Sequence, residues 1–322
     1  MTPKTMIRAI VAAGGLLLAP ALATPALAQF PDKPVEMTVL FGGTANSIAQ
    51  VLATELGNAL GKPVVPVSRP GGGGAVGYSY VADTRPDGYN IVWNSNSINT
   101  AYHTGKIPFD YQKFTPIAMV STEVPALAVK SGRGWKSLDE LKAAAMKMDG
   151  KLKVGISGKG SFTQLVSAAL FDAMGIGDKI SYISYGNGKA PVELMAGRID
   201  AAVQWPGQYK SYVDSGQLDV LAVTGKKRVA LLPDAKTATE QGYDVDITMW
   251  RGLAAPKGTP PEVVKALQDA AKTAVESPAF LKAAKNLGFD ITYEDSAAFG
   301  QDIAKDDAFY AKLLGQLELK KQ

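Results

Sequence analysis

The chain of 322 residues has no cysteine and one histidine. The first absence excludes disulfides, a thiol nucleophile, a cysteine-ligated metal and a lipid-modified amino-terminal cysteine, so stability rests on packing alone. The second excludes every multi-histidine metal motif and leaves His103 as the sole imidazole for a Ser-His-Asp device. No Gly-x-Ser-x-Gly elbow accompanies it. It lies in the polar segment Tyr102-His103-Thr104-Gly105, read as a loop, where a lone histidine is more often a surface residue than a catalyst. None of the Gly-Lys pairs is followed by Ser or Thr, so no phosphate-cradling P-loop is present. Charge of one sign is scarce too: the net charge of +4 is too weak and too evenly spread for a nucleic-acid footprint.

Long apolar runs are confined to the amino terminus. Lys4 and Arg8 precede an apolar stretch from Ala9 to Ala23, and Ala26-Leu27-Ala28 offers a small-x-small cleavage site. Gly14, Gly15 and Pro20 interrupt the stretch, which is shorter than the ~20 residues a bilayer span needs. The order is that of a secretory signal peptide over residues 1–28, without the twin Arg of folded export. Cleavage is expected to leave a soluble mature chain of 294 residues outside the cytoplasm, long enough for two domains.

Short apolar strands then alternate with amphipathic helices, the signature of an α/β protein with largely parallel sheets. One series holds strands at 35–41, 64–67 and 90–93 and helices at 46–60 and 75–82. A second holds strands at 152–156, 180–183, 201–204 and 218–223 and helices at 162–174 and 190–196. From Pro260 to Leu319 the pattern is helical, broken at Gly288-Phe289-Asp290. Extended segments at 116–129 and 247–256 join the two series. A chain that leaves one α/β domain and returns to it crosses twice, which makes a hinge with a cleft between lobes. The expected division is residues 29–121 with 250–322 as the first lobe and 122–249 as the second.

Gly72-Gly73-Gly74-Ala75-Val76-Gly77 fits the dinucleotide-binding pattern G-x-G-x-x-G. That chemistry needs an acid at the end of the next strand, and Asn90 to Asn96 carries none. The run is read as a structural turn, and no cofactor is expected. Two other loops are more informative. Phe41-Gly42-Gly43-Thr44-Ala45-Asn46-Ser47 and Ser157-Gly158-Lys159-Gly160-Ser161-Phe162-Thr163 each follow a strand and open a helix. The first turn of a helix leaves amide hydrogens unpaired at the positive end of its dipole, where a carboxylate is favoured. Ordinary capping competes with this reading, since Ser47-x-x-Gln50 and Ser161-x-x-Gln164 both fit the capping box. One such loop in each lobe, at the carboxyl end of a strand, is the placement open α/β sheets use for ligands.

At these residues the chain resembles the solute-binding receptors of tripartite tricarboxylate transporters, the Bug receptors. The resemblance runs over nearly the whole mature chain. It is carried by Ser68-Arg69-Pro70-Gly71-Gly72-Gly73-Gly74, Pro86-Asp87-Gly88-Tyr89, Gly197-Arg198-Ile199-Asp200 and Trp250-Arg251-Gly252-Leu253-Ala254-Ala255-Pro256, in that order and spacing. It implies a two-lobed periplasmic-binding-protein fold (type II-like), each lobe a mixed sheet flanked by helices. It also implies a non-enzymatic, monomeric periplasmic protein that binds no metal or nucleic acid and closes on a small organic acid. The acid passes to a permease of a large and a small membrane subunit.

The site residues implied are Phe41, Gly42, Gly43, Thr44, Ala45, Asn46 and Ser47 in one lobe, with Ser95 and Asn96 after the third strand. In the other they are Gly160, Ser161, Thr163, Gln164, Tyr185 and Gln204. The chain departs from the family pattern in a first loop two residues shorter, in Asn46 and Gln50 for Asp and Arg, and in Gln164 for His. Neutral Gln204 stands where receptors for amino acids can place an Asp. The expected cargo is therefore a di- or tricarboxylic acid, then an aromatic carboxylate flanked by Trp205 or Trp93, with an amino acid last. The alternatives are a periplasmic hydrolase using His103 and a sensor presenting its ligand to a membrane kinase.

Overall fold

The computed structural model describes residues 30–316; the expected signal peptide and the last residues of the tail lie outside them. The first lobe opens with β1 (Val35–Val39), α1 (Thr44–Leu60), β2 (Val64–Ser68), α2 (Ala75–Ala82), β3 (Asn90–Ser95), α3 (Ser97–His103) and β4 (Phe114–Glu123). The second contains β5 (Ala126–Lys130), α4 (Leu138–Lys147), β6 (Leu152–Ile156), α5 (Phe162–Ala173), β7 (Ile180–Ser184), α6 (Ala190–Met195), β8 (Ala201–Gln204), α7 (Pro206–Asp214) and β9 (Leu218–Val223). The chain returns through β10 (Met249–Pro256), α8 (Pro261–Val275), α9 (Pro278–Leu287), β11 (Asp290–Glu294) and α10 (Ser296–Gln316).

These elements build two mixed sheets, with strand orders β11-β4-β10-β3-β1-β2 and β7-β6-β8-β5-β9. Where a helix connects consecutive strands the pairing is parallel: β1 with β2 and β3, and β6 with β7 and β8. The strands that carry the chain between lobes pair antiparallel, β10 with β3 and β4, and β5 with β8 and β9. The sheets are thus less parallel than the strand–helix alternation alone suggests. Both faces of each sheet are covered, so interior strands are buried along most of their length; all eight residues of β10 are buried, Arg251 among them.

Local chemistry accounts for the helices. In α1 the buried residues Ile48, Ala49, Leu52, Ala53 and Leu56 recur at helical spacing, and Gly61 ends the helix in the left-handed conformation at φ 69°. The capping box expected at Ser47 does not form, because α1 begins three residues earlier with Gly43 as its cap; Ser47 sits inside the helix and its hydroxyl donates back to the Gly43 carbonyl at 3.4 Å. At α5 the Ser161 half of the box forms, while Gln164 reaches back to the N–H of Gly160, one residue before the cap.

Four further elements differ from the sequence reading: α4 and α7 are not among the expected helices, and β11 and α3 stand where the sequence reads as other structure. The tail contains a strand, β11, paired antiparallel with β4. His103 closes helix α3 instead of lying in a loop, and its Nε2 is 2.8 Å from Asp307 Oδ1 on α10. That last helix spans both lobes. Phe299 and Ile303 pack with α2 and α3 residues of the first lobe, whereas Tyr310 and Leu314 enter the core around Phe162 and Leu165 in the second.

Candidate binding site

A cavity of about 460 Å³ lies between the lobes, within the range of small-molecule sites. Its first-lobe wall is Leu40 to Gly42 after β1, Pro70 to Gly73 after β2, and Met249 and Arg251 of β10. Its second-lobe wall is Ser157 to Lys159 and Ser161 to Thr163 around the start of α5, Gly186 and Gly188 after β7, and Gln204, Trp205 and Gln208 after β8. Apart from β10, every one of these segments follows the carboxyl end of a parallel strand or of β8, the end at which open α/β sheets bind ligands.

The lobes meet through glycines at the rim. A methyl group on Gly73 would stand 3.2 Å from the Gly160 carbonyl oxygen, and one on Gly43 would stand 2.9 Å from Gln208 Nε2 and 3.4 Å from Gly188 Cα. Gly71 to Gly74 all have positive φ, between 57° and 134°. The run therefore does more than turn the chain: Gly71 to Gly73 line the cavity, and Gly73 brings bare backbone against the opposite lobe.

From the second lobe the N-terminus of α5 lines this cavity, and from the first the loop Phe41-Gly42 that leads into α1 lines it. Gly43 caps α1 at φ 65° and ψ −141°, a conformation essentially reserved for glycine, and no side chain caps the helix. The amides of Thr44 and Ala45 therefore have no intrahelical acceptor. At α5, Ser161 Oγ accepts from Gln164 N at 3.4 Å and Gln164 Oε1 accepts from Gly160 N at 2.6 Å. Thr163 Oγ1 accepts from Ser157 N at 2.9 Å, which ties the loop into a ring. The amides of Phe162 and Thr163 remain without intrahelical partners. The lining includes Lys106, Lys159 and Arg251 and no carboxylate. Among the described residues neither lysine has an acidic partner, so the cavity carries positive potential.

The floor is built differently. Arg251, 2 % exposed, donates from Nε and Nη2 to Glu123 Oε2 at 2.9 and 2.8 Å. Gln204, fully buried, accepts from Ser157 Oγ at 3.2 Å, and its Nε2 has no partner. The Trp205 ring lies 5.2 Å from the Arg251 guanidinium carbon and stacks near-parallel on Phe162 at 6.2 Å. Such a floor offers hydrogen-bond donors between flat apolar walls.

Of the expected residues, Phe41, Gly42, Ser161, Thr163 and Gln204 line the cavity. Gly43, Thr44, Ala45, Gly160 and Gln164 frame the two helix starts without lining it, while Asn46 is half-buried and Ser47 exposed. Ser95 and Asn96 lie in a buried network: Ser95 Oγ is 2.6 Å from Ser97 Oγ, and Asn96 Nδ2 donates to Thr248 O and to Tyr310 Oη. Tyr185 packs in the second-lobe core. The two tryptophans part company, for Trp93 is core, donating to the Ala45 carbonyl, while Trp205 faces the cavity. Arg251, Lys106, Gln208 and the glycine run were not among the expected ligand-binding residues. Arg251 alone left a legible trace, a charge inside the otherwise apolar run Met249 to Ala255.

Comparison with known proteins fits this geometry. The family model described as the tripartite tricarboxylate transporter family receptor matches residues 48–319. The chain belongs to this family. Among its relatives, BugT of Bordetella pertussis is 31% identical over 288 residues, 86% of this chain and 87% of BugT. A Cupriavidus necator protein from the gbd 5′ region is 30% identical over 315 residues, 95% of each. The structure of the periplasmic binding protein BugD superposes with a TM-score of 0.84 at 29% identity, covering 91% of this chain and 100% of BugD. A Rhodopseudomonas palustris protein described with bound malate shares the fold, with a TM-score of 0.82 at 22% identity over 88% of this chain and 100% of its own. A receptor of this family binds and releases its cargo and turns nothing over.

Proposed function

We propose that this receptor captures a small organic carboxylate in the periplasm, as a monomer, and hands it to the large and small subunits of a membrane permease. The single observation that carries the reading is a cavity between the lobes, without a lining carboxylate, that is lined by the N-terminus of α5 and by the loop that leads into α1. One carboxylate of the cargo would take the free amides at α1 and α5, each hydrogen bond to a charged group contributing ~1.5–3 kcal/mol. Two or three suffice for micromolar affinity, near −8 kcal/mol. Residues 29–121 with 250–322 would move against 122–249 about the crossing segments, and the ligand would favour the closed arrangement because only there do both helix starts reach it. Di- and tricarboxylic acids are candidates from the resemblance. The Trp205–Phe162 wall also supports an aromatic carboxylate.

A thermal-shift screen of the mature chain against aliphatic and aromatic carboxylates tests this. A ligand at 100 times its Kd stabilises the native state by ~2.7 kcal/mol. A flat response to every acid would overturn the proposal.

A further inference from the structure

We infer that Arg251 and Gln204 form the specificity-determining floor of the cavity, and that they select an uncharged hydrogen-bond acceptor at the far end of the acid over a second carboxylate. The inference rests on the reading of the cavity as a carboxylate site and narrows the cargo.

Gln204 is fully buried, lines the cavity and spends its Oε1 on the Ser157 hydroxyl, so what it offers a ligand is the unpartnered Nε2 donor. An unmade bond on a buried donor is costly, which makes a ligand oxygen there valuable and its absence a penalty. Arg251 adds a second donor: Nε and Nη2 both engage Glu123, and Nη1 has no protein partner among the described residues. Both groups donate only, so the ligand atom they meet is an acceptor.

The charge of that atom follows from Glu123. Arg251 and Glu123 are 2 % and 1 % exposed and neutralise one another, so the floor has no net positive charge to offer. A ligand carboxylate at Arg251 would leave two anions sharing one cation in a buried site, with only one of them compensated. A hydroxyl, ketone or amide oxygen accepts the same hydrogen bonds without that penalty. The uncompensated cations lie elsewhere. Lys106 reaches the α5 loop, where a methyl on Gly160 would stand 3.5 Å from its Cε, and Lys159 precedes that glycine. The cavity is thus polarised, with an anion-accepting rim at the α5 loop and a neutral, donor-only floor.

The test is isothermal titration of the mature chain with acids matched in length and differing only at the far end. One series comprises the straight-chain acids of four to eight carbons, each unsubstituted, with a terminal hydroxyl, with a penultimate ketone and as the dicarboxylate; a second comprises benzoate, 4-hydroxybenzoate and terephthalate. At the length or ring that binds best, the hydroxyl or keto acid should bind about tenfold more tightly than both the unsubstituted acid and the dicarboxylate. Glu123→Gln keeps an acceptor for Arg251 but removes the compensating charge, and should turn the preference toward the dicarboxylate. Gln204→Leu should erase the advantage of the hydroxyl or ketone while leaving the unsubstituted acid unaffected, and melting curves verify that each variant folds. A wild type that prefers the dicarboxylate, or a preference that Glu123→Gln does not move, overturns the inference while leaving the carboxylate site standing. Failure of every acid to bind overturns the underlying reading.

Discussion

Replacing Gly73 by alanine separates the energetics of the fold from those of closure. Gly73 has φ 70° and ψ 24°, so any L-residue there bears left-handed strain of ~1–2 kcal/mol whether the lobes are open or closed. The new methyl would also stand 3.2 Å from the Gly160 carbonyl oxygen across the cleft, a contact that exists only when the lobes meet. Overpacking of this kind costs ~1–3 kcal/mol, and a contact tight by a few tenths of an ångström belongs at the low end. About 1 kcal/mol taken from the closed state alone weakens ligand binding roughly fivefold. Two measurements divide the effects: apo melting should fall by roughly 2–4 °C per kcal/mol of strain, and titration with the best-binding acid should show the loss in Kd. Gly73→Asn is the control, because asparagine tolerates the left-handed region but carries the same Cβ. It should largely restore the apo stability and retain the weakened binding. Unchanged affinity in both variants would refute the argument, since the glycine turn and the Gly160 loop could then not be in contact around the ligand.

Gln164→Ala should lower stability by ~1 kcal/mol, because it removes the acceptor for Gly160 N–H at the start of α5; urea denaturation measures it. Asp306 accepts from Trp250 Nε1 at 2.6 Å, and burial, ahead of every other influence, pushes its carboxyl up to about 6. Its folded-state pKa lies above the unfolded value, so its contribution is fully present below about pH 4 and declines as pH rises through about 6. Asp306→Asn, which keeps an acceptor for Trp250, should therefore gain stability relative to the wild type between pH 4 and 7, read from urea melts at the two ends of that range. His103→Ala should cost at most ~1 kcal/mol for the part-exposed contact with Asp307 and leave ligand Kd unchanged, since His103 does not line the cavity. A change in Kd would reopen a role for the imidazole.

Sequence alone determined the elements whose local signal is strong. The strands at Leu152–Ile156, Ala201–Gln204 and Leu218–Val223 and the helix Ala75–Ala82 stand where apolar runs and turn residues place them. The Ser161-capped start of α5 was legible because capping is a local property of a few consecutive residues, whereas α1 starts at Thr44, ahead of the Asn46 that the apolar spacing indicated. Four elements were not read from the sequence: α4 carried a local signal, Ser137 capping it through Glu140 N–H, and α7 begins at Pro206, whereas β11 and α3 lack such a signal. β11 is a five-residue edge strand without a fully buried face, and α3 is a short polar segment, Ser97-Ile98-Asn99-Thr100-Ala101-Tyr102-His103, held by the elements packed around it.

Tertiary structure decided the rest of the site. Glu123 and Arg251 lie 128 residues apart, so nothing in either local pattern announces that they compensate one another on the cavity floor. Likewise, the glycines after β2 read as a turn until the opposing Gly160 shows that a Cβ at Gly73 would crowd the other lobe. Which amide of a helix start faces a ligand, and which charge is already spent on a neighbour, depend on how two lobes pack. Packing of that kind brings together residues that no window along the chain contains.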